Sequence, residues 1–337
     1  LGGINTYSGD TTVSAGTLKL GAADVIPGGT GHGILTVASG AMFDLAGYSE
    51  WINSLSGGGV VDNISAADAT LYVAGGAGTS NEFSGVLQNS DTGKLRLVVE
   101  CGNSLTLSGA NTYSGDTVVC IGSKLALGAA NVIPNGAGKG NVHINMGGIL
   151  DLNGFDETIN GLMDSSGYVD NTSSTSDATL TVGDNDATSS FSGILRNTGS
   201  YDLALAKIGS GTLTLSGANT YGGDTTVNAG TLALGAANVI PNGAGKGDVT
   251  VASGATLNLA GRNETINGLS GSGTVDDASA TNVTFTVGDN DATSTFAGVI
   301  QDSSTGALSL TKIGDGTLTL GGINTYSGDT TVSAGTL

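Results

Sequence analysis

The chain has 337 residues, of which 59 are glycine and 3 are proline, and only 12% of its residues are charged. Glycine is about two and a half times as frequent as in average proteins without a collagen period, and the low charge content excludes a charge-rich disordered chain. The net charge of −19 disfavours polyanionic partners, so we expect no nucleic acid to bind. No apolar run approaches the length of a membrane-spanning helix, so we expect no membrane insertion by this segment.

Internal repeats dominate the sequence. The stretch from Leu213 to Thr225 recurs at residues 105–117 and 318–330, and in part at residues 1–11. The equivalent asparagines are Asn5, Asn111, Asn219 and Asn324, with steps of 106, 108 and 105 between them. Residues 1–18 are identical to residues 320–337, which adds a second, longer period. This self-similarity predicts repeats at residues 1–110, 111–218 and 219–323, and the start of another at 324–337.

Each repeat predicts the same series of short strands. In the third copy, alternating apolar and polar residues predict strands at 213–215, 231–234, 249–251, 257–259, 283–287, 296–300 and 308–310. Asn219-Thr220-Tyr221 predicts a turn after the first of these strands. The three prolines, Pro27, Pro134 and Pro241, fall at one position of each repeat and predict a fixed corner. No stretch shows a convincing helical stripe with caps, so we expect almost no helix.

Spacings of roughly 19–25 residues between strand pairs match the coil length of a β-solenoid. The prediction is an all-β, parallel β-helix rod built from about three 106-residue repeats. Its core would be formed by Leu213, Leu215, Leu232, Leu234, Val249, Val251, Leu257, Leu259, Val283, Phe285 and Val287. A β-sandwich array with one unit per repeat is the main alternative, since it also needs alternating strands and frequent turns.

Residues 211–232 carry a specific resemblance. They read GTLTLSGANTYGGDTTVNAGTL and follow Lys207-Ile208-Gly209, which returns as Lys312-Ile313-Gly314. This motif resembles the passenger-associated transport repeat of autotransporters, also called the autotransporter-associated β-strand repeat. The resemblance covers the motif in each of its four copies and implies a secreted, right-handed parallel β-helix on a bacterial surface.

One copy departs from the motif and carries both cysteines of the chain. Glu100-Cys101-Gly102 is aligned with Lys-Ile-Gly, one residue is missing before Leu105, and Cys120 follows in the next coil. Cys101 and Cys120 are separated by about the length of one coil, so we expect them on adjacent rungs. A Cys101–Cys120 disulfide fits a secreted location, and two buried thiols are the alternative.

Metal and catalytic chemistry find little support in the sequence. The weak calcium candidates are Asp184, Asp186, Asp289 and Asp291, in two VGDND segments. Each segment offers only two carboxylates and one amide, whereas calcium takes six to eight oxygens, so a plain turn is the better interpretation. The repeat-equivalent Glu50, Glu157 and Glu264 would lie about 20 Å apart at the strand spacing, too far for a two-carboxylate glycosidase. We expect no enzyme and no cofactor.

The sequence predicts a structural and adhesive extracellular rod, a segment of a long bacterial surface or filament protein. Further copies of the same repeat, stacked end to end, are the expected partners, together with a host or neighbouring-cell surface. The alternative function is a carbohydrate-binding or polysaccharide-degrading β-helix protein. A sugar-binding module needs an exposed aromatic cluster, and Trp51 with Tyr48 is the only close aromatic pair in the sequence.

Overall fold

The computed structural model describes residues 1–29, 31–75, 80–100, 102–164 and 166–337. Contacts divide the chain into two compact units, Leu1–Asp170 and Asn171–Leu337, here called unit 1 and unit 2. All regular elements of the described residues are strands, and none is a helix. The predicted all-β class is therefore confirmed, whereas the predicted repeat boundaries stay a prediction.

The strands are short, between two and five residues each. Of the strands in the described ranges, nineteen begin in unit 1: β1 (Thr11–Val13), β2 (Gly16–Lys19), β3 (Leu35–Val37), β4 (Ala41–Asp44), β5 (Glu50–Ile52), β6 (Leu55–Ser56), β7 (Val60–Asp62), β8 (Ala69–Val73), β9 (Ser80–Phe83), β10 (Val86–Gln88), β11 (Leu95–Val99), β12 (Ser104–Leu107), β13 (Thr117–Val119), β14 (Lys124–Leu127), β15 (Val142–Ile144), β16 (Ile149–Asp151), β17 (Glu157–Ile159), β18 (Leu162–Met163) and β19 (Tyr168–Asn171). Eighteen lie in unit 2: β20 (Ala178–Val182), β21 (Ser189–Phe191), β22 (Ile194–Asn197), β23 (Leu203–Lys207), β24 (Thr212–Leu215), β25 (Thr225–Val227), β26 (Thr231–Leu234), β27 (Val249–Val251), β28 (Thr256–Asn258), β29 (Glu264–Ile266), β30 (Leu269–Gly271), β31 (Thr274–Asp276), β32 (Val283–Val287), β33 (Ser294–Phe296), β34 (Val299–Gln301), β35 (Leu308–Lys312), β36 (Leu318–Leu320) and β37 (Thr330–Val332).

Unit 1 is a parallel β-solenoid. One sheet runs through β5, β8, β11, β13, β15 and β18, and another through β9, β12, β14, β16 and β19. Shorter sheets join β1, β3 and β6, and β2, β4, β7 and β10. Paired residues of successive coils are 18–26 positions apart, for example Asp44 with Asp62 and Leu71 with Leu97. The predicted coil length is therefore confirmed within this unit.

Unit 2 repeats the arrangement. Its sheets run through β20, β23, β25, β27, β30, β33 and β36, through β21, β24, β26, β28, β31 and β34, and through β29, β32, β35 and β37. The eleven residues that the sequence assigns to the core of this part of the chain are at most 3% exposed, so that prediction is confirmed. The parallel pairing excludes the sandwich alternative for the described part of the unit, because a sandwich is built from antiparallel sheets.

The predicted strand at residues 296–300 is wrong in one respect. The chain forms two strands there, β33 and β34, which belong to different sheets. Gly298 lies at the corner between them, where a Cβ atom would approach the carbonyl oxygen of Gly273 to 2.0 Å. The close backbone contact between adjacent coils requires glycine at this corner and ends the first strand.

Buried asparagine and glutamate side chains connect the coils. In unit 1, Asn111 Oδ1 accepts the Leu87 N–H at 2.8 Å, and its Nδ2 donates to Val132 O at 2.8 Å. The carboxylate of Glu157, from the next coil, accepts the N–H groups of Val132 and Ile133 at 3.0 and 2.9 Å. The loop that contains the repeat's proline is thus held from both sides, and we call this arrangement the Asn–Glu clamp.

The clamp recurs in both units. In unit 2, Asn219 accepts from Leu195 and donates to Val239, while Glu264 accepts from Val239 and Ile240. Near the start of unit 1, Asn5 donates to Val25 O, and Glu50 accepts the N–H groups of Val25 and Ile26. Backbone groups of an irregular loop would otherwise be buried without partners, which is costly.

Candidate functional site

In the long sheet of unit 1, the side of the strands opposite the core carries a continuous line of mostly apolar side chains. Each strand alternates between inward and outward residues, and the parallel register places the outward ones above one another. The line, here called the apolar ladder, consists of Trp51, Tyr72, Val98, Val118, His143 and Met163. Trp51 is exposed, Tyr72, His143 and Met163 are half-buried, and Val98 and Val118 are buried. Neighbours in such a line are separated by the strand spacing of about 4.8 Å, so their side chains contact one another.

Equivalent positions elsewhere carry small or polar side chains. Within unit 2 they form the register lines Thr181, Ala206, Thr226, Thr250 and Ser270, and Thr265, Thr286, Thr311 and Thr331. The first coils of unit 1 carry Thr12, Thr36 and Ser56 there. The apolar ladder is therefore a local departure from the repeat pattern and not a requirement of the fold.

The exposed end of the ladder is a stacked aromatic pair. The rings of Trp51 and Tyr72 have centroids 4.3 Å apart and planes inclined by 15°. Trp51 is 40% exposed. The sequence neighbour noted for Trp51 is Tyr48, and the structure adds a stacked ring partner on the next coil, Tyr72. Aromatic pairs in this geometry add roughly 0.5–1.5 kcal/mol beyond their burial.

His143 occupies the fifth position of the ladder. Its Nδ1 lies 2.8 Å from Asp164 Oδ2, and its Nε2 lies 3.8 Å from Asp116 Oδ2. The register gives His143 on β15 the position that Thr250 has on β27 in unit 2, so its side chain faces outward. The two carboxylates orient the imidazole along the outer surface.

The repeat-equivalent glutamates lie inside the solenoid. Burial raises the pKa of Glu157 to about 8 and that of Glu50 and Glu264 to about 7, although backbone N–H donors oppose the shift. At most 1% of each residue is exposed. Since both carboxylate oxygens are bonded to a neighbouring loop, these residues hold the coils together and are not accessible to a substrate.

Two other groups of buried polar residues escaped the sequence interpretation. The phenols of Tyr113 and Tyr221 are fully buried and hydrogen-bonded to the hydroxyls of Thr117 and Thr225, at 2.5 and 2.6 Å. Burial raises the pKa of both phenols. A tyrosine followed four residues later by threonine is the sequence signal for this contact.

Lys207 and Lys312 are also buried. The Lys207 ammonium donates to the carbonyl oxygens of Ile208, Gly209 and Ala229, and Lys312 donates to Ile313 and Gly314. Burial lowers the pKa of Lys207. These side chains satisfy turn carbonyls from inside the solenoid, which a solvent-exposed lysine would not do.

The structure corrects the alignment around the first cysteine. Val99 ends β11 as Lys207 ends β23, and the register pairs these residues with Val119 and Val227 respectively. Both also lie six residues before the leucine of the next strand, so no residue is missing. Val99, not Glu100, therefore replaces the lysine.

The predicted disulfide cannot be placed on this framework. Cys101 lies outside the described residues, and Cys120 is half-buried directly after β13. The pairing of Cys101 with Cys120 stays a prediction.

The calcium candidates lie at exposed turns. Asp186 Oδ1 accepts the Ser210 N–H at 2.6 Å, and Asp291 Oδ1 accepts the Asp315 N–H at 2.7 Å. The Ser210 N–H lowers the pKa of Asp186. Asp184 and Asp289 are exposed beside them. Within the described ranges, no three acidic, histidine or cysteine side chains form a metal-holding group. Calcium binding stays untested.

Comparisons with known proteins agree with the residues and the fold. The family model of the passenger-associated-transport-repeat matches residues 1–20, 102–119, 205–234 and 310–337. The adhesin BmaC autotransporter of Brucella suis biovar 1 (strain 1330) is 32% identical to the chain over 346 residues. The match covers all of this chain but only 9% of the adhesin. No solved structure matches the chain significantly.

The similarity to an autotransporter adhesin implies a secreted or cell-surface protein. In the part of the chain that the structure describes, no helix has the length and apolar character needed to cross a bilayer. The resemblance of residues 211–232 to a transport repeat is confirmed by the family match at 205–234. The chain thus carries four segments that match the passenger-associated-transport-repeat, on a parallel β-solenoid, and is similar over its whole length to part of an autotransporter adhesin.

Proposed function

We propose that the chain is a structural and adhesive segment of a long bacterial surface or filament protein, with no catalytic role. The observation that carries the adhesive part is the Trp51–Tyr72 stack at the exposed end of the apolar ladder, because the other repeats carry threonine at the position of the exposed Trp51. Aromatic side chains are enriched at protein interfaces, so an exposed aromatic pair marks an interaction site. The similarity to an adhesin supports the same function.

The structural part of the function follows from the clamps. Backbone pairing along the solenoid joins neighbouring coils, and each Asn–Glu clamp fixes a loop whose backbone groups would otherwise lack partners. We propose that further copies of the repeat stack end to end with this segment, so that the ladder is displayed at a distance from the cell. Host or neighbouring-cell surfaces are the proposed partners.

An adhesion assay tests the proposal. Beads coated with the full chain are applied to an epithelial cell layer, next to beads with a variant in which Trp51, Tyr72 and Met163 become Thr, Thr and Ser. These are residue types that unit 2 carries at the equivalent positions, so circular dichroism of the variant should keep the same strand signal. We expect the variant to lose most of the binding.

A matched control changes one residue in each of the two polar register lines of unit 2, with Thr250→Ser and Thr286→Ser. These exchanges keep a hydroxyl on the outward face, so binding should not change. Equal binding of the ladder variant and the unchanged chain would contradict an adhesive ladder and leave only the structural function.

A second candidate function is carbohydrate binding, which the exposed Trp51–Tyr72 pair favours, since sugar rings stack on aromatic faces. Binding of a neutral sugar would not depend on nearby charged side chains, whereas binding of a charged ligand would. Exchange of a charged residue next to Trp51 therefore distinguishes the two ligand classes.

A further inference from the structure

A groove lies beside Trp51 at the edge of the apolar ladder. It is lined by Asp24, Ile26, Pro27, Gly28, Gly29 and Trp51. Tyr72 covers one face of the indole ring and does not line the groove. The part of the indole that borders the groove is therefore the part that the stack leaves uncovered.

Three departures from the repeat pattern coincide in this groove. Asp24 stands where the other repeats have Asn131 and Asn238, and Trp51 stands where they have Thr158 and Thr265. The third departure concerns the loop. In the other copies, an asparagine after the proline donates to the strand below, from Asn135 to Thr158 O and from Asn242 to Thr265 O, both at 3.0 Å.

Gly28 replaces that asparagine in the first copy. A Cβ atom at Gly28 would lie 2.3 Å from the carbonyl oxygen of Trp51. The glycine thus lets the loop backbone rest directly on the strand, and no side chain fills the space between the loop and the indole. Gly28 therefore lines the groove with backbone atoms alone.

The charge of the groove is not compensated. Asp24 is exposed, and among the described residues its carboxylate forms no ion pair. The neighbouring Glu50 belongs to the clamp, and the whole chain carries a net charge of −19. An electron-rich ring and a free carboxylate at the same opening are complementary to a cation that is also flat.

We propose that this groove binds an arginine side chain of a basic protein segment, with the guanidinium stacked on Trp51 and paired with Asp24. Guanidinium is the cation that both stacks on aromatic faces and bonds carboxylates in a planar, two-pronged geometry. A lysine ammonium has the charge but not the flat face. The inference rests on the proposed adhesive function, since it names the chemistry of a partner held at the end of the ladder.

The composition of the chain provides a direct probe. Trp51 is the only tryptophan of the 337 residues, so intrinsic tryptophan fluorescence reports on this groove alone. The full chain is titrated with the peptide acetyl-Gly-Arg-Gly-amide and with the same peptide carrying citrulline, a neutral residue of nearly the same shape. We expect a saturable change in Trp51 emission with the arginine peptide that weakens as salt is added, and little change with citrulline.

Asp24→Asn tests the role of the carboxylate. Asparagine occupies the equivalent position in both other repeats, and it tolerates the positive φ of 53° at Asp24, so the fold should be kept. We expect the affinity for the arginine peptide to fall roughly threefold, the range of exposed ion pairs, and its salt dependence to weaken. Asp289→Asn, which removes one exposed charge in unit 2, should leave the affinity unchanged.

Either of two results would overturn the proposal. One is equal binding of the arginine and citrulline peptides. The other is a neutral oligosaccharide that changes Trp51 emission as strongly in Asp24→Asn as in the unchanged chain, which would assign the groove to sugar. If peptide binding fails while the ladder variant still loses adhesion, the ligand class is wrong and the adhesive function stands. If peptide binding succeeds while the ladder variant adheres normally, the adhesive function is wrong.

Discussion

The Asn–Glu clamp makes a local and measurable prediction at Glu157. Its two carboxylate oxygens accept the N–H groups of Val132 and Ile133 at 3.0 and 2.9 Å, inside the solenoid. Glu157→Gln keeps the shape of the side chain but turns one acceptor into an NH₂ group. One backbone N–H then faces another donor, and because the site is buried, solvent does not replace the lost acceptor.

The size of the effect follows from these contacts. Losing one hydrogen bond costs about 1 kcal/mol, and a buried donor without an acceptor adds about 1–3 kcal/mol. We therefore expect the loop at residues 128–141 to open about 2–4 kcal/mol more easily. At about 2 kcal/mol, the amide hydrogen exchange of this loop should accelerate about 30-fold.

Hydrogen exchange measured by mass spectrometry checks this prediction at a pH above about 8, where the Glu157 carboxyl is ionised and both of its oxygens accept. The equivalent loop at residues 235–247, held by the unchanged Glu264, is an internal control in the same molecule. Glu82→Gln is the matched variant, because Glu82 is exposed and its oxygen accepts the Ser108 hydroxyl, which a glutamine oxygen can also accept. Unchanged exchange at 128–141, or an equal effect from Glu82→Gln, would refute the clamp.

Three further predictions concern pH, the buried tyrosines and the cysteines. Because the folded pKa values of the three clamp glutamates lie at about 7 to about 8, above the ordinary value of 4.5, the folded state holds these protons more tightly than the unfolded state. The free energy of unfolding should therefore be highest at pH 4–5 and fall as the pH rises to about 8. Each glutamate should contribute on the order of 3 kcal/mol to this fall. Urea unfolding at several pH values measures how steeply the free energy of unfolding falls with pH. Glu157→Gln should make this fall smaller. A free energy of unfolding that rises between pH 5 and 8 would show that the sign is wrong. Tyr221→Phe should destabilise unit 2 by about 1 kcal/mol, since it leaves a buried hydroxyl of its threonine partner without this bond; Tyr326→Phe removes the same contact at an exposed site and should cost almost nothing in a thermal melt. Mass spectrometry of the unreduced protein should find Cys101 linked to Cys120, and alkylation of both thiols in the folded, unreduced protein would contradict the disulfide.

The solenoid could be predicted from the sequence because its signals are local. Alternation of apolar and polar residues fixes which side chains point inward, as Leu213 and Leu215 show. The spacing of the repeats then fixes the coil length. The corner at Gly298 was missed because alternation continues across it, whereas the strand break depends on a close contact with a glycine of the preceding coil.

The candidate site was harder to predict because it forms between coils. Trp51 and Tyr72 are a full coil apart in the sequence and become neighbours only through the register of β5 and β8. Val98 and Val118 are buried, as valines in strands usually are, yet the register places them in the same line as Tyr72. Only the register between paired strands shows that these four residues share one line on the side opposite the core.

The buried charges were missed for a different reason. Composition rules place lysine and glutamate on the surface, since burying an unpaired charge is costly. Lys207 and Glu157 are buried because backbone groups of irregular turns surround them and need partners. A repeat-equivalent charged residue next to a proline or glycine corner is the signal that could have identified them.

The reach of the Asn–Glu clamp has a consequence for how such a protein can change in length. The asparagine and glutamate that hold one loop lie two coils apart along the chain, as Asn111 and Glu157 do, with the loop on the coil between them. Loss or insertion of a single coil between them would separate a carboxylate from the loop it serves. Recombination that copies the whole repeat keeps every such pair together. Duplication of the whole repeat therefore adds length without leaving the buried polar groups of a clamp unpaired.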